Sequence, residues 1–243
     1  VTYPTAGIYD ATLTITTPNG VSNVTKTQVV RVLGANAAVS APFLQTFEDD
    51  SWLDNTANPD RNWRNQAAMG TSIRWQRATG VNGPSKPGNS ALRLPLPSLA
   101  ANYVTTLYTP LIDLSGTGVS DNRLSFDYAY ARRTTTSNDV LRIAFSADCG
   151  TSWTNNVTVA NGFLVSNTGY PTPVTGTFAP TASEWRTYNL TLPAAMQNAP
   201  RLLVRIEEVA GGGNNMYLDN GRVDSATVTR ARDMSSRSFT VLP

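Results

Sequence analysis

The side chains able to do chemistry in this 243-residue chain are oxygen donors, because histidine is absent and cysteine occurs once. Without histidine the commonest general base, the commonest zinc ligand and every Ser-His or Cys-His nucleophile pair are missing. Cys149 cannot form an internal disulfide, and no basic neighbour in sequence lowers its pKa, so an inert thiol is expected. A glycosidase would need two carboxylates across a cleft. Glu207 and Glu208 are neighbours on a predicted strand and point to opposite faces, and the sequence does not place Asp127 and Asp139 in a cleft. No catalytic residues are therefore assigned. A metal is another matter. Glu48, Asp49 and Asp50 lie near one end of a long β region, and Asp219 and Asn220 near its other end. Hard oxygen ligands without His or Cys suit calcium. If the fold brings the two ends together, Glu48, Asp50, Asn89 and Asp219 form a candidate structural calcium site, with carbonyls around Gly88 completing the shell.

The elements that must position these residues are strands. From Arg123 to Trp153 two runs of period-two hydrophobicity flank a polar linker. Leu124, Phe126, Tyr128 and Tyr130 share one face, and Leu141, Ile143 and Phe145 share another; the pattern predicts a β-hairpin inside a larger antiparallel sheet packed on a second one. Further strands are predicted over 43–48, 72–79, 90–95, 104–114, 123–132, 140–146, 152–159, 185–192, 202–209 and 215–223. No segment has a sustained helical period. Many short strands with turn signals between them argue for an antiparallel sandwich. Two long loops, 49–71 and 160–183, are where function is expected. Trp52, Trp63 and Trp75 lie in or beside the first. Exposed there they could stack on sugar rings; buried, the commoner fate of Trp, they would plug the end of the sandwich.

Ahead of this domain, residues 1–34 hold a strand, a Pro18-Asn19-Gly20 turn and a second strand, and residues 35–42 read as a linker. Two strands alone leave a face and edges unpaired, so this piece is expected to fray or to pair with another polypeptide, including another copy of itself. Charged residues are only 15% of the chain, the net charge is +2, and basic residues are scattered. Nucleic acid is not an expected partner. No apolar run is long enough for a membrane span, and the start, Val1-Thr2-Tyr3-Pro4, falls within a strand pattern without the features of a signal peptide, so the chain is read as a piece of a longer precursor.

Pro4, Gly7, Tyr9, Leu13, Ile15, Val30 and Val32 together resemble the last two strands of a PKD domain, an immunoglobulin-like sandwich. From 43 to 224, the succession Phe47-Glu48, Trp52, Trp63, Trp75-Gln76, Gly88-Asn89-Ser90-Ala91, Tyr108 to Leu114, Leu124-Ser125-Phe126, Asp148 to Trp153, Trp185 and Tyr217 to Asn220 resembles the MAM-like jelly-roll modules of secreted Bacteroidota proteins, cleaved-adhesin modules included. The combination looks most like the C-terminal region of pappalysin-type (cytophagalysin) metallopeptidases. That resemblance implies an all-β antiparallel jelly roll, secreted or at the cell surface, serving adhesion or targeting towards an extracellular protein or a glycan. Subunits of an extracellular assembly held by strand addition, and carbohydrate-binding modules, are the competing classes. A protease of that family needs a two-histidine zinc motif, so such an activity would lie upstream. The resemblance also implies that residues 225–243 lead towards a type IX secretion sorting domain, and that Asp224-Ser225-Ala226 is an O-glycosylation site at Ser225. The box from Ser146 to Trp153 is similar to the Asp-box of sialidase propellers, which is structural: an Asp accepting backbone N–H groups, a Gly with positive φ and a Trp folded over the turn.

Overall fold

The computed structural model describes residues 1–34, 38–51, 61–118 and 120–225. Residues 35–37, Trp52 with the rest of 52–60, residue 119 and the tail beyond Ser225 lie outside them. The chain is all-β. In order, its strands are β1 (Gly7–Thr17), β2 (Gly20–Val32), β3 (Val39–Ser40), β4 (Phe43–Gln45), β5 (Arg64–Gln66), β6 (Gln76–Thr79), β7 (Ser90–Leu94), β8 (Val104–Tyr108), β9 (Ile112–Asp113), β10 (Asn122–Tyr130), β11 (Val140–Ser146), β12 (Thr154–Ala160), β13 (Arg186–Thr191), β14 (Leu203–Val209) and β15 (Met216–Ser225). No helix among the described residues is long and apolar enough to cross a membrane.

Two antiparallel sheets face each other. One has the order β13-β10-β15-β7-β6, and the far half of β15 also pairs with β4. The other has the order β12-β11-β14-β8-β5. Leu92, Leu94, Phe126, Tyr130 and Leu218 from the first interleave with Leu107, Ile143, Phe145, Val204 and Ile206 from the second, all within one buried core. Each such side chain contributes about 1.5–3 kcal/mol by leaving water. The first and last strands of the sandwich, β4 and β15, are neighbours, as expected of a jelly roll.

Several sequence expectations are corrected here. The runs around 124–130 and 140–146 do not form a hairpin: β10 pairs with β13 and β15, and β11 with β12 and β14. The two apolar faces meet across the core instead, and the nine residues between them cross from one sheet to the other. Alternation shows that each run has a face to bury; it does not say in which sheet. The expected linker 35–42 contains β3, which pairs in parallel with β9, and the expected loop 49–71 contains β5. The loop before β13 is a lid: Phe178 and Trp185 pack on Ala91, Ala129 and Tyr217 against the outer face of the first sheet. That cover buries β10 on both sides.

β1 and β2 pair only with each other among the described strands. Arg31 ties them to the sandwich, donating to the carbonyls of Asn62 (3.0 Å) and Thr109 (3.4 Å).

Candidate functional site

Strand β2 passes over the outer face of the five-stranded sheet and leaves a groove of about 780 Å³ between them. The groove floor follows from strand parity. Thr105 and Leu107 of β8 and Val204, Ile206 and Glu208 of β14 turn inward, so Thr106, Tyr108, Arg205 and Glu207 turn outward. The register then aligns Arg205, Tyr108 and Arg64 in one row across β14, β8 and β5, and Glu207, Thr106 and Gln66 in the next. One rim is the 67–74 loop, where the Asn65 amide donates to the Trp75 carbonyl at 2.7 Å.

An adjoining depression of about 220 Å³ shares Val29, Arg64, Gln66 and Tyr108 and adds Trp153. The Trp153 ring lies 6.0 Å from that of Tyr108, and the Arg205 guanidinium sits over it at 4.5 Å while bonding Glu207 at 3.2 Å. Burial pushes the Tyr108 hydroxyl above its ordinary pKa, so it stays a hydrogen-bond donor. Trp153 is held by the preceding turn. Asp148 accepts from the Ser146 hydroxyl (2.7 Å), the Ser152 N–H (2.9 Å) and the Ser152 hydroxyl (2.6 Å), and these bonds lower its carboxyl to about 2. Cys149 and Gly150 both take positive φ, 61° and 89°. The box is structural in this chain, and it delivers an aromatic ring to the groove.

Of the two fates open to the loop tryptophans, Trp63 and Trp75 take burial and not stacking on a ligand. Trp63 and Trp75 are 3% and 1% exposed, and Trp63 meets Phe47 edge-on at 5.3 Å. They plug the core. The aromatics that reach the groove, Tyr108 and Trp153, were legible only as members of strand and turn patterns.

The candidate calcium residues divide. Glu48 accepts the N–H groups of Asn89 (3.0 Å) and Ser90 (3.3 Å) and lies where a Cβ on Gly88 would sit. Asn89 thus offers Glu48 a donor, and its carbonyl accepts the Gly80 N–H at 2.8 Å. Asp50 is turned away into a bidentate pair with Arg77, both bonds 3.1 Å. Asp219 is buried and accepts N–H groups of Gly83 and Asn220, each at 2.7 Å. Directly across the ladder stands Asp127, weighed in the sequence only as a catalytic acid and not as a calcium ligand. Its carboxylate accepts from the Ser85 N–H (2.8 Å), the Ser85 hydroxyl (2.6 Å) and the Thr187 hydroxyl (2.7 Å). A bulge in β15 inserts Asn220, at φ 51°, and its amide donates to Asp127 at 2.8 Å and to the Gly83 carbonyl at 3.2 Å. Burial, with smaller contributions from Asp127 and Glu48, raises the Asp219 carboxyl to about 7. Glu48 and Asp219 therefore feel each other. Among the described residues, no three acids, histidines or cysteines converge on one metal position.

At the other end of β10, the Tyr130 hydroxyl and the Gly211 N–H donate to Asp139 at 2.6 and 2.8 Å. Glu208 is fully buried opposite Thr105, and neither its carboxylate nor the Thr105 hydroxyl has a hydrogen-bond partner among the described residues. Neither Asp127 nor Asp139 lines the groove, whose one acid is Glu207. Ser225 is buried opposite Asn122 at the end of β15, so the folded chain does not offer its hydroxyl to a glycosylating enzyme.

No protein-family model matches the chain, and no curated protein matches it in sequence. Solved structures do. The K1 cleaved adhesin domain of Lys-gingipain from Porphyromonas gingivalis W83 superposes with a TM-score of 0.50 at 14% identity, over 76% of this chain and 98% of that domain. The sandwich has the fold of a cleaved adhesin domain. The K2 domain of Lys-gingipain follows at a TM-score of 0.46 and 18% identity, over 75% and 99% of the two chains. The CBM27-1 module of Caldicellulosiruptor saccharolyticus, solved with mannohexaose, gives 0.44 and 14%, over 75% and 96%.

Proposed function

We propose that this chain is a non-catalytic extracellular binding module and that its groove takes a glycan. The observation that carries the reading is the groove itself. Two aromatic rings, Tyr108 and Trp153, stand beside Arg64, Gln66 and Glu207 on a rigid sheet, giving faces for pyranose rings and donors and acceptors for their hydroxyls. A strand-borne floor with one carboxylate fits recognition rather than hydrolysis, which takes a pair. In the same reading β1 and β2 are the end of a PKD-like sandwich, and the module is an accessory region of a secreted Bacteroidota metallopeptidase, on the residue pattern set out above.

Calcium belongs to this proposal. Asp127 and Glu48 both lie within electrostatic reach of Asp219, whose carboxyl is raised by burial first and by these two neighbours after it, and a cation there would offset that repulsion. Glu48 and Asp219 would hold the ion, whose charge would pin the 81–90 segment to β15.

A second reading, assembly by strand addition, rests on the hairpin. Leu13, Ile15 and Val24 share one face of it and are 62%, 53% and 58% exposed, and both of its outer edges are unpaired among the described strands.

Glycan-array screening followed by calorimetry tests the main reading. The double variant Tyr108→Ala, Trp153→Ala should weaken the best neutral glycan at least about tenfold with the fold intact, since stacked rings supply a large share of such affinity. An array without hits, or undiminished binding by the variant, would reject the groove as the site.

A further inference from the structure

A second groove, of about 390 Å³, lies on the other sheet. Its floor is Arg93 of β7, which parity turns outward beside Tyr217 of β15. Its walls are Pro95, Pro97 and Ser98 on one side, and Arg133 with the 175–177 loop on the other. Among the described residues, two arginines line it and no acid does. The Arg93 Nε is buried without a hydrogen-bond partner. An N–H buried without a partner costs free energy that an incoming anion returns.

The far wall is built in advance. The Asn214 amide donates to the carbonyls of Val174 (2.7 Å) and Gly176 (2.6 Å) and accepts the Phe178 N–H (2.9 Å). Val174 in turn donates its N–H to the Arg132 carbonyl at 2.8 Å. Ser98, Thr175 and Thr177 bring hydroxyl-bearing side chains to the lining of the same groove.

We propose that this groove is an oxyanion site for an acidic glycan, the carboxylate or sulfate of a sugar lying between Arg93 and Arg133. Planar guanidinium groups bind such oxyanions through two parallel hydrogen bonds, and the hydroxyl-bearing lining suits the remaining sugar oxygens. An acidic peptide fits less well. β7 is paired on both sides, with β6 and β15, so no strand edge is open for a peptide backbone, and apart from two prolines the walls are polar. The site goes beyond the neutral-glycan reading of the first groove and lies on the opposite sheet.

The test is calorimetric titration of the intact chain with tetragalacturonate, with a sulfated heparin disaccharide, with neutral galactotetraose and with a tetraglutamate peptide. The expected result is binding of one or both acidic sugars, weakened by added salt and reduced roughly tenfold or more by Arg93→Gln and by Arg133→Glu, because a charge-assisted pair is being removed. Arg133 is exposed, so its variant leaves the fold intact, and circular dichroism verifies this for both. A response to one acidic sugar and not the other identifies the oxyanion. Four results overturn the proposal: no binding of either acidic sugar, undiminished binding by both arginine variants, equal binding of galactotetraose, or tighter binding of the peptide. The Tyr108→Ala, Trp153→Ala variant separates the two grooves. If it abolishes acidic-sugar binding and the arginine variants do not, the oxyanion site falls and the first groove stands.

Discussion

Hairpin and sandwich are made of the same kind of strand and end in opposite states. In β1 Tyr9, Ala11, Leu13 and Ile15 alternate as regularly as the apolar residues of β10, yet Leu13 and Ile15 face solvent while Phe126 and Tyr130 are buried. Strand β10 has a neighbour on each edge and a layer on each face. The hairpin has Arg31. Alternation therefore specifies a strand but not its company, and the groove between the two regions exists because one of them was left partly uncovered.

The difference predicts unequal responses to similar truncations. Phe145→Ala empties a site in the core and should cost about 3–5 kcal/mol of unfolding free energy in urea denaturation. Ile15→Ala should stay within about 0.5 kcal/mol. Comparable losses would mean that the hairpin and the sandwich fold as one cooperative unit.

Acidity should act on the sandwich through Asp219. Its folded carboxyl is raised to about 7 from an ordinary 3.8, so its contribution is fully present below pH 3.8 and is lost as pH rises through 7. The difference is on the order of 4 kcal/mol at its largest. Glu208, pushed well above its ordinary range by burial and then by Asp139, acts in the same direction. Melting curves between pH 4 and 8 should fall with pH, and Asp219→Asn should flatten them. Calcium should flatten them too, by favouring the ionised carboxyl at neutral pH. At a hundredfold excess over Kd it would stabilise by about 2.7 kcal/mol, and a chelator should lower Tm by several degrees. Identical melting with chelator and with millimolar calcium would remove the ion from the account.

The smallest effect expected is local. Asp148 is depressed to about 2 from 3.8 by the Ser146 and Ser152 bonds, so its support of the turn is present above pH 3.8 and fades as pH falls through 2. Amide exchange at Ser152 should quicken across that window while β10 is unaffected. An Asp148 carboxyl titrating at its ordinary value would show the turn to be held by something else.

Much of the sandwich was legible in the sequence because strand parity and turn residues are local. The strands over 90–95, 140–146 and 202–209 came from such signals, and the meeting of β4 with β15 from the resemblance to a jelly roll, which joins its first and last strands. What was illegible was long-range. Nothing local says that Phe126 and Ile143 belong to one core between two sheets, that the 83–85 segment covers Asp127, or that a bulge at Asn220 sets its amide between two aspartates. The candidate site divides along the same line. Glu48 and Asp219 stood out because acids at two chain ends suggest a meeting. Tyr108, Trp153 and Arg205 form a surface only once β8, β14 and the 148–153 turn are in register, and Trp63 and Trp75 drew attention as aromatics in a loop when their role was to fill the core.

Hydrogen–deuterium exchange on the intact chain tests the division into a closed sandwich and an open hairpin most directly. An isolated pair of strands is marginal in water, so amides of residues 12–17 and 20–26 should exchange far faster than those of 124–130 and 216–223, with intermediate protection near Arg31. Equal protection in the hairpin and in β10 would contradict the account.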